Sequence, residues 1–158
     1  MQTTIFTGSI LNSPSNTYLI SIGEDRVLKG EVAKLILETF GQKIQEELLT
    51  QKFFEKGEAR LLQIGGKNLI FARPFDYDFK LLTILGIESC IKNAFKICEQ
   101  NGFESISITA LSGNYLPDSE NQINEISKLA INDYSSRSPN FCIKEIFLVN
   151  NNRKIFKV

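Results

Sequence analysis

Ser112-Gly113-Asn114 sits where a chain can present a ligand site. Ahead of it, Ile106, Ile108 and Ala110 alternate with Ser105, Ser107 and Thr109, which is the period of a β-strand. The glycine lies between two turn formers and is free to take φ > 0. After Pro117, Ser119 and Gln122 have the spacing of a helix capping box. Strand, glycine loop and helix in that order present a binding site at the carboxyl end of a strand in α/β sheets; a plain connection is the alternative reading. Glu24-Asp25 and the pair Asp76, Asp78 are loop carboxylates, which do acid–base work only when buried against a partner and are otherwise solvated. Gln45-Glu46-Glu47 falls on a predicted helix and reads as a solvated face. Phe75, Tyr77 and Tyr115 fall in predicted loops, where a ring either stacks on a base or packs at a rim.

Missing residue types narrow the chemistry further. The 158 residues include no histidine, which removes the commonest general base, the usual metal ligand and every histidine-containing triad. Cys90, Cys98 and Cys142 are an odd count in apolar surroundings, and buried free thiols are the expected state. No P-loop, GxSxG, CxxC or dinucleotide GxGxxG is present. The residue chemistry therefore gives no catalytic residue, no metal site and no cofactor. Eighteen basic and eighteen acidic side chains cancel, so nothing marks a nucleic-acid surface. A net charge of zero also removes colloidal repulsion, which favours a homo-oligomer. With no signal peptide and no apolar run able to span a bilayer, the expectation is a cytoplasmic protein with no membrane partner.

The length and the 42% hydrophobic content suit one globular domain over 1–158. Residues 3–10 suit a first strand and 17–22 a central one. From Gly30 to about Thr50, Val32, Leu35, Ile36, Phe40, Ile44 and Leu48 recur at threes and fours, predicting one helix with a weak point at Gly41. Glu58–Ile64 and Asn68–Arg73 flank Gly65-Gly66-Lys67 and read as a hairpin. Residues 74–78 read as a loop, Lys80–Asn101 as the longest helix and Glu104–Ala110 as a strand. Ser119–Tyr134 follows as a helix, 135–140 as a loop and Cys142–Val149 as an apolar strand, and Arg153–Val158 is a further strand candidate. This order predicts a mixed sheet of about six strands with helices on both faces. The pocket is expected at the loops ending the second and fifth strands and the start of the first helix.

Laid out this way, the chain resembles the macro domain, the ADP-ribose-binding α/β/α module, over nearly its whole length. Phe6-Thr7-Gly8-Ser9-Ile10 is similar to the family's opening strand with its Gly-Asp-Ile, and Tyr18–Glu24 to its Ala-Ile-Val-Asn-Ala-Ala-Asn. Gly30-Glu31-Val32 through Gly41 tracks Gly-Gly-Val-x-x-Ala-Ile-x-x-Ala-Ala-Gly without a gap. Ser105–Pro117 is similar to the family's strand and phosphate loop, shortened by two residues, and Cys142–Val149 to its last core strand.

The resemblance implies a three-layer α/β/α fold with a mixed central sheet, and a ligand site contributed by four stretches. These are Ser9 and Ile10; Ser21 and Glu24; Lys29, Gly30, Glu31 and Val32; and Leu111, Ser112, Gly113, Asn114 and Tyr115. Ser9 replaces the adenine-reading aspartate, Ser21 and Glu24 replace the ribose-orienting asparagines, and Glu31 replaces a phosphate-loop glycine. A carboxylate there repels a pyrophosphate, which Lys29 offsets only in part. The two remaining anion nests are Gly30 with Val32 at a helix start and Ser112-Gly113-Asn114. The implied function is a non-catalytic module for ADP-ribose or a related nucleotide. A ligand-free interaction scaffold is the alternative, and an ADP-ribosyl hydrolase comes third.

Overall fold

The period-two stretches become six strands: β1 (Gln2–Thr7), β2 (Thr17–Ser21), β3 (Ala59–Ile64), β4 (Lys67–Ala72), β5 (Ser105–Ile108) and β6 (Glu145–Asn150). The computed structural model describes residues 1–23, 25–74, 83–109, 111 and 120–150. The strands form one sheet in the order β1-β6-β5-β2-β4-β3. Every neighbouring pair is parallel except β3 with β4. That exception is the hairpin, in which Ile64 pairs with Lys67 across Gly65 (φ 57°) and Gly66 (φ 75°). Two successive positive φ values are what a two-residue turn needs to follow the strand twist.

Four helices fill the connections: α1 (Glu31–Phe40), α2 (Gln42–Thr50), α3 (Thr83–Asn101) and α4 (Glu120–Arg137). The central strands are buried on both sides, as parallel strands covered by helices must be. Along β4, Ile70 and Ala72 enter the core formed with α3 and α4, where Ile87, Ile91, Phe95 and Ile131 pack. Leu69 and Phe71 enter the opposite core, with Ala33 and Ile36 of α1 and Ile44 and Leu48 of α2. The mixed sheet with helices on both faces is the architecture that the alternating periods predict.

Several boundaries differ from the sequence reading, each for a local reason. The single helix expected over 30–50 is two, because Gly41 adopts φ 83°, ψ 177°, a conformation open to glycine alone. Its N–H closes α1 on Leu37 O at 2.8 Å, and its carbonyl accepts Ile44 N at 3.3 Å to open α2. The first strand stops at Thr7 and Gly8 turns with φ 138°. Ser9 then caps a short 3-10 helix, Ile10–Asn12, accepting Leu11 N at 3.2 Å. The last strand begins at Glu145, opposite Ser105, where its partner β5 also begins. α4 runs on to Arg137 because the Ser135 and Ser136 hydroxyls fold back onto Asn132 O and Asp133 O, and Arg137 pairs with Asp133. The strand candidate Arg153–Val158 and the loop residues Phe75, Asp76, Tyr77 and Asp78 lie outside the described residues.

Candidate functional site

Five strands run parallel, so their carboxyl ends share one edge of the sheet. From β2 the chain leaves toward β4 through α1 and α2 on one face; from β5 it leaves toward β6 through α4 on the other. β2 and β5 are neighbours, so their exit loops part in opposite directions. Such a switch point opens a crevice at the strand ends.

The loop after β2 is tied down residue by residue. Ile22 is buried and its N–H reaches Ala72 O at 2.8 Å. Gly23 O accepts Arg26 N at 3.1 Å, closing a turn that puts Arg26 at φ 60°. Asp25 accepts Val27 N at 3.1 Å and pairs with Lys29. Partial burial acts to raise the Asp25 pKa, but the Lys29 ammonium and the Val27 N–H outweigh it, so the carboxyl ionises below its usual range. Leu28 is buried, and its N–H donates to Gln45 Oε1 at 2.8 Å while Gln45 Nε2 donates to Arg26 O at 2.9 Å. Gly30, at φ 91°, then precedes α1 as an N-cap residue that brings no side chain to the helix start. The N–H groups of a first helical turn have no partner within the helix and favour an anion. Glu31 stands exposed in that turn, followed by half-buried Val32.

Segment 8–16 returns along the hydroxyl face of β5. Ser13 meets Ser107 at 2.7 Å and Ser15 meets Ser105 at 2.8 Å, while Ser13 Oγ donates to Ile10 O at 2.6 Å. This antiparallel run leaves Ser9 and Ile10 toward the carboxyl end of β5. Ser9 spends its oxygen on the 3-10 cap, and Ile10 is buried in the α1/α2 core. Ser21 is the half-buried last residue of β2. Beyond β5, Thr109 Oγ1 donates to Leu19 O at 2.9 Å, and the Leu111 side chain packs in the α3/α4 core. The described candidates thus gather around the ends of β2 and β5, with the Ile10 and Leu111 side chains turned into the two cores. Glu24, Ser112, Gly113, Asn114 and Tyr115 lie outside the described residues.

Sequence reasoning missed Gln45. Glu46 and Glu47 are solvated as expected, whereas Gln45 beside them is half-buried and reaches residues 17 to 19 positions earlier. The one available signal was its place directly after buried Ile44. Among the described residues no cluster of His, Cys, Asp or Glu is arranged to hold a metal, and no helix is long and apolar enough to cross a membrane. A second concavity, about 290 Å³, lies on the outer side of α3 and α4 and is lined by Lys92, Asp133, Tyr134, Arg137 and Ser138. Its charges answer one another: Lys92 bonds Glu88 at 2.8 Å and Asp133 at 3.2 Å, and Arg137 bonds Asp133 at 2.8 Å.

This sheet order, with its helices on both faces and its crevice between β2 and β5, is the macrodomain fold. Three solved structures illustrate the likeness. The macro domain of ganglioside induced differentiation associated protein 2 matches with a TM-score of 0.81 at 14% identity, over 97% of this chain and 78% of that one. An Oceanobacillus iheyensis macrodomain, a point mutant with ADPR, matches at 0.76 and 14%, over 92% of this chain and 82% of that one. The Trypanosoma brucei macrodomain in complex with ADP-ribose matches at 0.73 and 13%, over 93% of this chain and 63% of that one. No family model matches the sequence, and no curated protein matches it. The protein has the fold of a macrodomain in a sequence only 13 to 14% identical to these three.

Proposed function

We propose that the protein is a non-catalytic binding module for ADP-ribose or a related nucleotide, with the diphosphate at the first turn of α1. The observation that carries this reading is the start of α1 behind Gly30, whose N-cap brings no side chain, in the connection that leaves β2 where β2 and β5 are neighbours. Macrodomains of the same fold have been solved with ADPR and with ADP-ribose, which supports that choice of ligand. The second anion nest of the reading is Ser112-Gly113-Asn114. Ser9 brings no charge, so the base is held by stacking rather than read by an acid. Support for binding without turnover is that Ser21 and Glu24 stand at the ribose-orienting positions of the resemblance and that the Asp25 carboxylate is paired with Lys29.

Calorimetric titration with ADP-ribose, ADP and related dinucleotides tests the reading. Micromolar binding of one of them, with no release of ADP-ribose from a mono-ADP-ribosylated protein, is the expected result.

One feature favours the scaffold alternative. Glu31 already places a carboxylate in the first turn of α1, where it interacts favourably with the helix dipole and repels an incoming anion. On the binding reading, Glu31→Gly tightens ADP-ribose by about 1 kcal/mol, the effect of one nearby like charge, and the gain shrinks with added salt. Gly113→Val weakens binding. No heat with any nucleotide, in the native protein and in Glu31→Gly alike, would put the scaffold ahead.

A further inference from the structure

The loop between β2 and α1 is gripped by a helix that it does not join. Gln45 lies on α2, beyond the Gly41 break, and its amide bonds Arg26 O and Leu28 N, the groups on either side of Val27. A carbonyl and an N–H as partners also fix which way the amide points. Arg26 answers from the loop: its Nη1 donates to Leu49 O at 3.1 Å and to Gln51 O at the end of α2, and its guanidinium lies 4.5 Å from the centre of the Phe53 ring.

We propose that Gln45 is a positioning residue that holds residues 25–30 in their ligand-ready form and so couples α2 to the site. This rests on the reading above, in which an anionic ligand meets Gly30 and the first turn of α1. The loop requires such a hold. Arg26 sits at φ 60°, a region that L-residues with side chains leave when released. A loop offering backbone groups to a ligand loses affinity if it must order on binding. The amide meets two opposite demands at once, donating to a carbonyl and accepting an N–H. At that length only a primary amide or a protonated carboxyl does both.

The test uses Gln45→Glu and Gln45→Met in the full chain from pH 4 to pH 8. Exchange of the Leu28 amide is followed without ligand, and the affinity for ADP-ribose by calorimetry, both as ratios to wild type. Asp25, Arg26 and Lys29 of the loop and Lys43, Glu46 and Glu47 of α2 are common to all three proteins and drop out of the ratio. Gln45→Glu is expected to bind about tenfold more weakly at pH 8 and to return toward wild type at pH 4, where the substituted carboxyl regains its proton. Leu28 exchange should follow the same curve, while Gln45→Met stays about tenfold weaker at every pH. Wild-type exchange and affinity in both variants would overturn the proposal, as would a Gln45→Glu ratio that does not move with pH. If wild type itself takes up no ADP-ribose, the ligand reading falls and Leu28 exchange alone decides the positioning role. Protection that returns on acidification supports it, and a flat ratio overturns it.

Discussion

The two faces of the sheet are held by different physics. On the α3/α4 face, burial fills the interior and the polar bonds lie outside it. Ile87, Cys90, Ile91, Ala94, Phe95 and Cys98 of the 19-residue α3 are fully buried, while Lys92–Asp133 and the Tyr134 and Ser138 hydroxyls on Glu99 join the two helices at their rim. Phe95, Tyr134 and Phe141 meet edge-on with ring centres 5.4 to 6.1 Å apart. The α1/α2 face has its own apolar core, but its surroundings are set by directional bonds. These are the Ser13–Ser107 and Ser15–Ser105 pairs, the Gln45 clasp, and Arg60, which bonds Glu58, Lys52 O and Phe53 O and lies over the Phe54 ring. Apolar burial is insensitive to small shifts in angle, whereas a hydrogen bond fails beyond a few tenths of an ångström. The part of the candidate site that leads into α1 stands on the face where directional bonds set position.

Four measurements sharpen or break this contrast. Gly86→Ala on α3 carries the largest effect. A Cβ there would lie 2.0 Å from the Pro74 carbonyl oxygen, a backbone atom that cannot swing aside. Although alanine suits a helix better than glycine, urea denaturation should show a loss of about 3 kcal/mol or more.

Second is alkaline sensitivity on the same face. Burial pushes the Cys90 and Cys98 thiols up from 9.0 to about 12. Below about pH 8 both are protonated whether the chain is folded or not, so they add no pH dependence there. As pH rises from about 8 toward 12 only the unfolded thiols ionise and stability falls, by about 2 kcal/mol for the pair between neutral pH and pH 9.5. A Cys90→Ala/Cys98→Ala variant should lack that slope, and the same slope in both proteins would refute it.

Third, Gly41→Ala on the other face meets no atom within 4 Å, so its cost is backbone strain alone, about 1.5 kcal/mol by thermal unfolding. A cost as large as that of Gly86→Ala would erase the distinction between the two faces. Last, Ser107→Ala removes one hydroxyl of a buried pair, and Ser13 keeps Ile10 O as a partner. About 1 kcal/mol is expected, with the Ser13→Ala/Ser107→Ala double variant losing less than the sum of the singles.

The same contrast explains what the sequence revealed. The α3 stripe with its buried Cys90 and Cys98, the Gly65-Gly66 hairpin and the period-two strands are local patterns, and the fold class followed from them; Cys142, expected to be buried too, is half-buried. The start of α1 behind Gly30, where the candidate site begins, was equally local. Gly41 was legible as a weak point but not as a full break, because the energy that turns α2 aside comes from packing Ile44 and Leu48 into the sheet. The alternation of Ser105 and Ser107 with Ile106 and Ile108 was plain, yet nothing in it said that the hydroxyls would face Ser13 and Ser15, some 90 positions away. Gln45 was hidden for the same reason: its partners lie in the preceding loop, and a neighbouring pair of glutamates makes its surroundings read as solvent.

The pairing of β1 with β6, Gln2 beside Glu145, reaches beyond the site to the making of the protein. Of the six strands the ribosome produces β1 before the rest, and the strand that borders it comes more than a hundred residues later. At 5 to 20 residues per second that interval lasts roughly 7 to 30 s. Throughout it, Thr3-Thr4-Ile5-Phe6-Thr7, a β-prone run without charge, waits outside the tunnel with its backbone unpaired. Release of nascent chains stalled before and after residue 150 should therefore show a step in protease resistance at β1, with chaperone contact at the amino-terminal strand ending as β6 emerges.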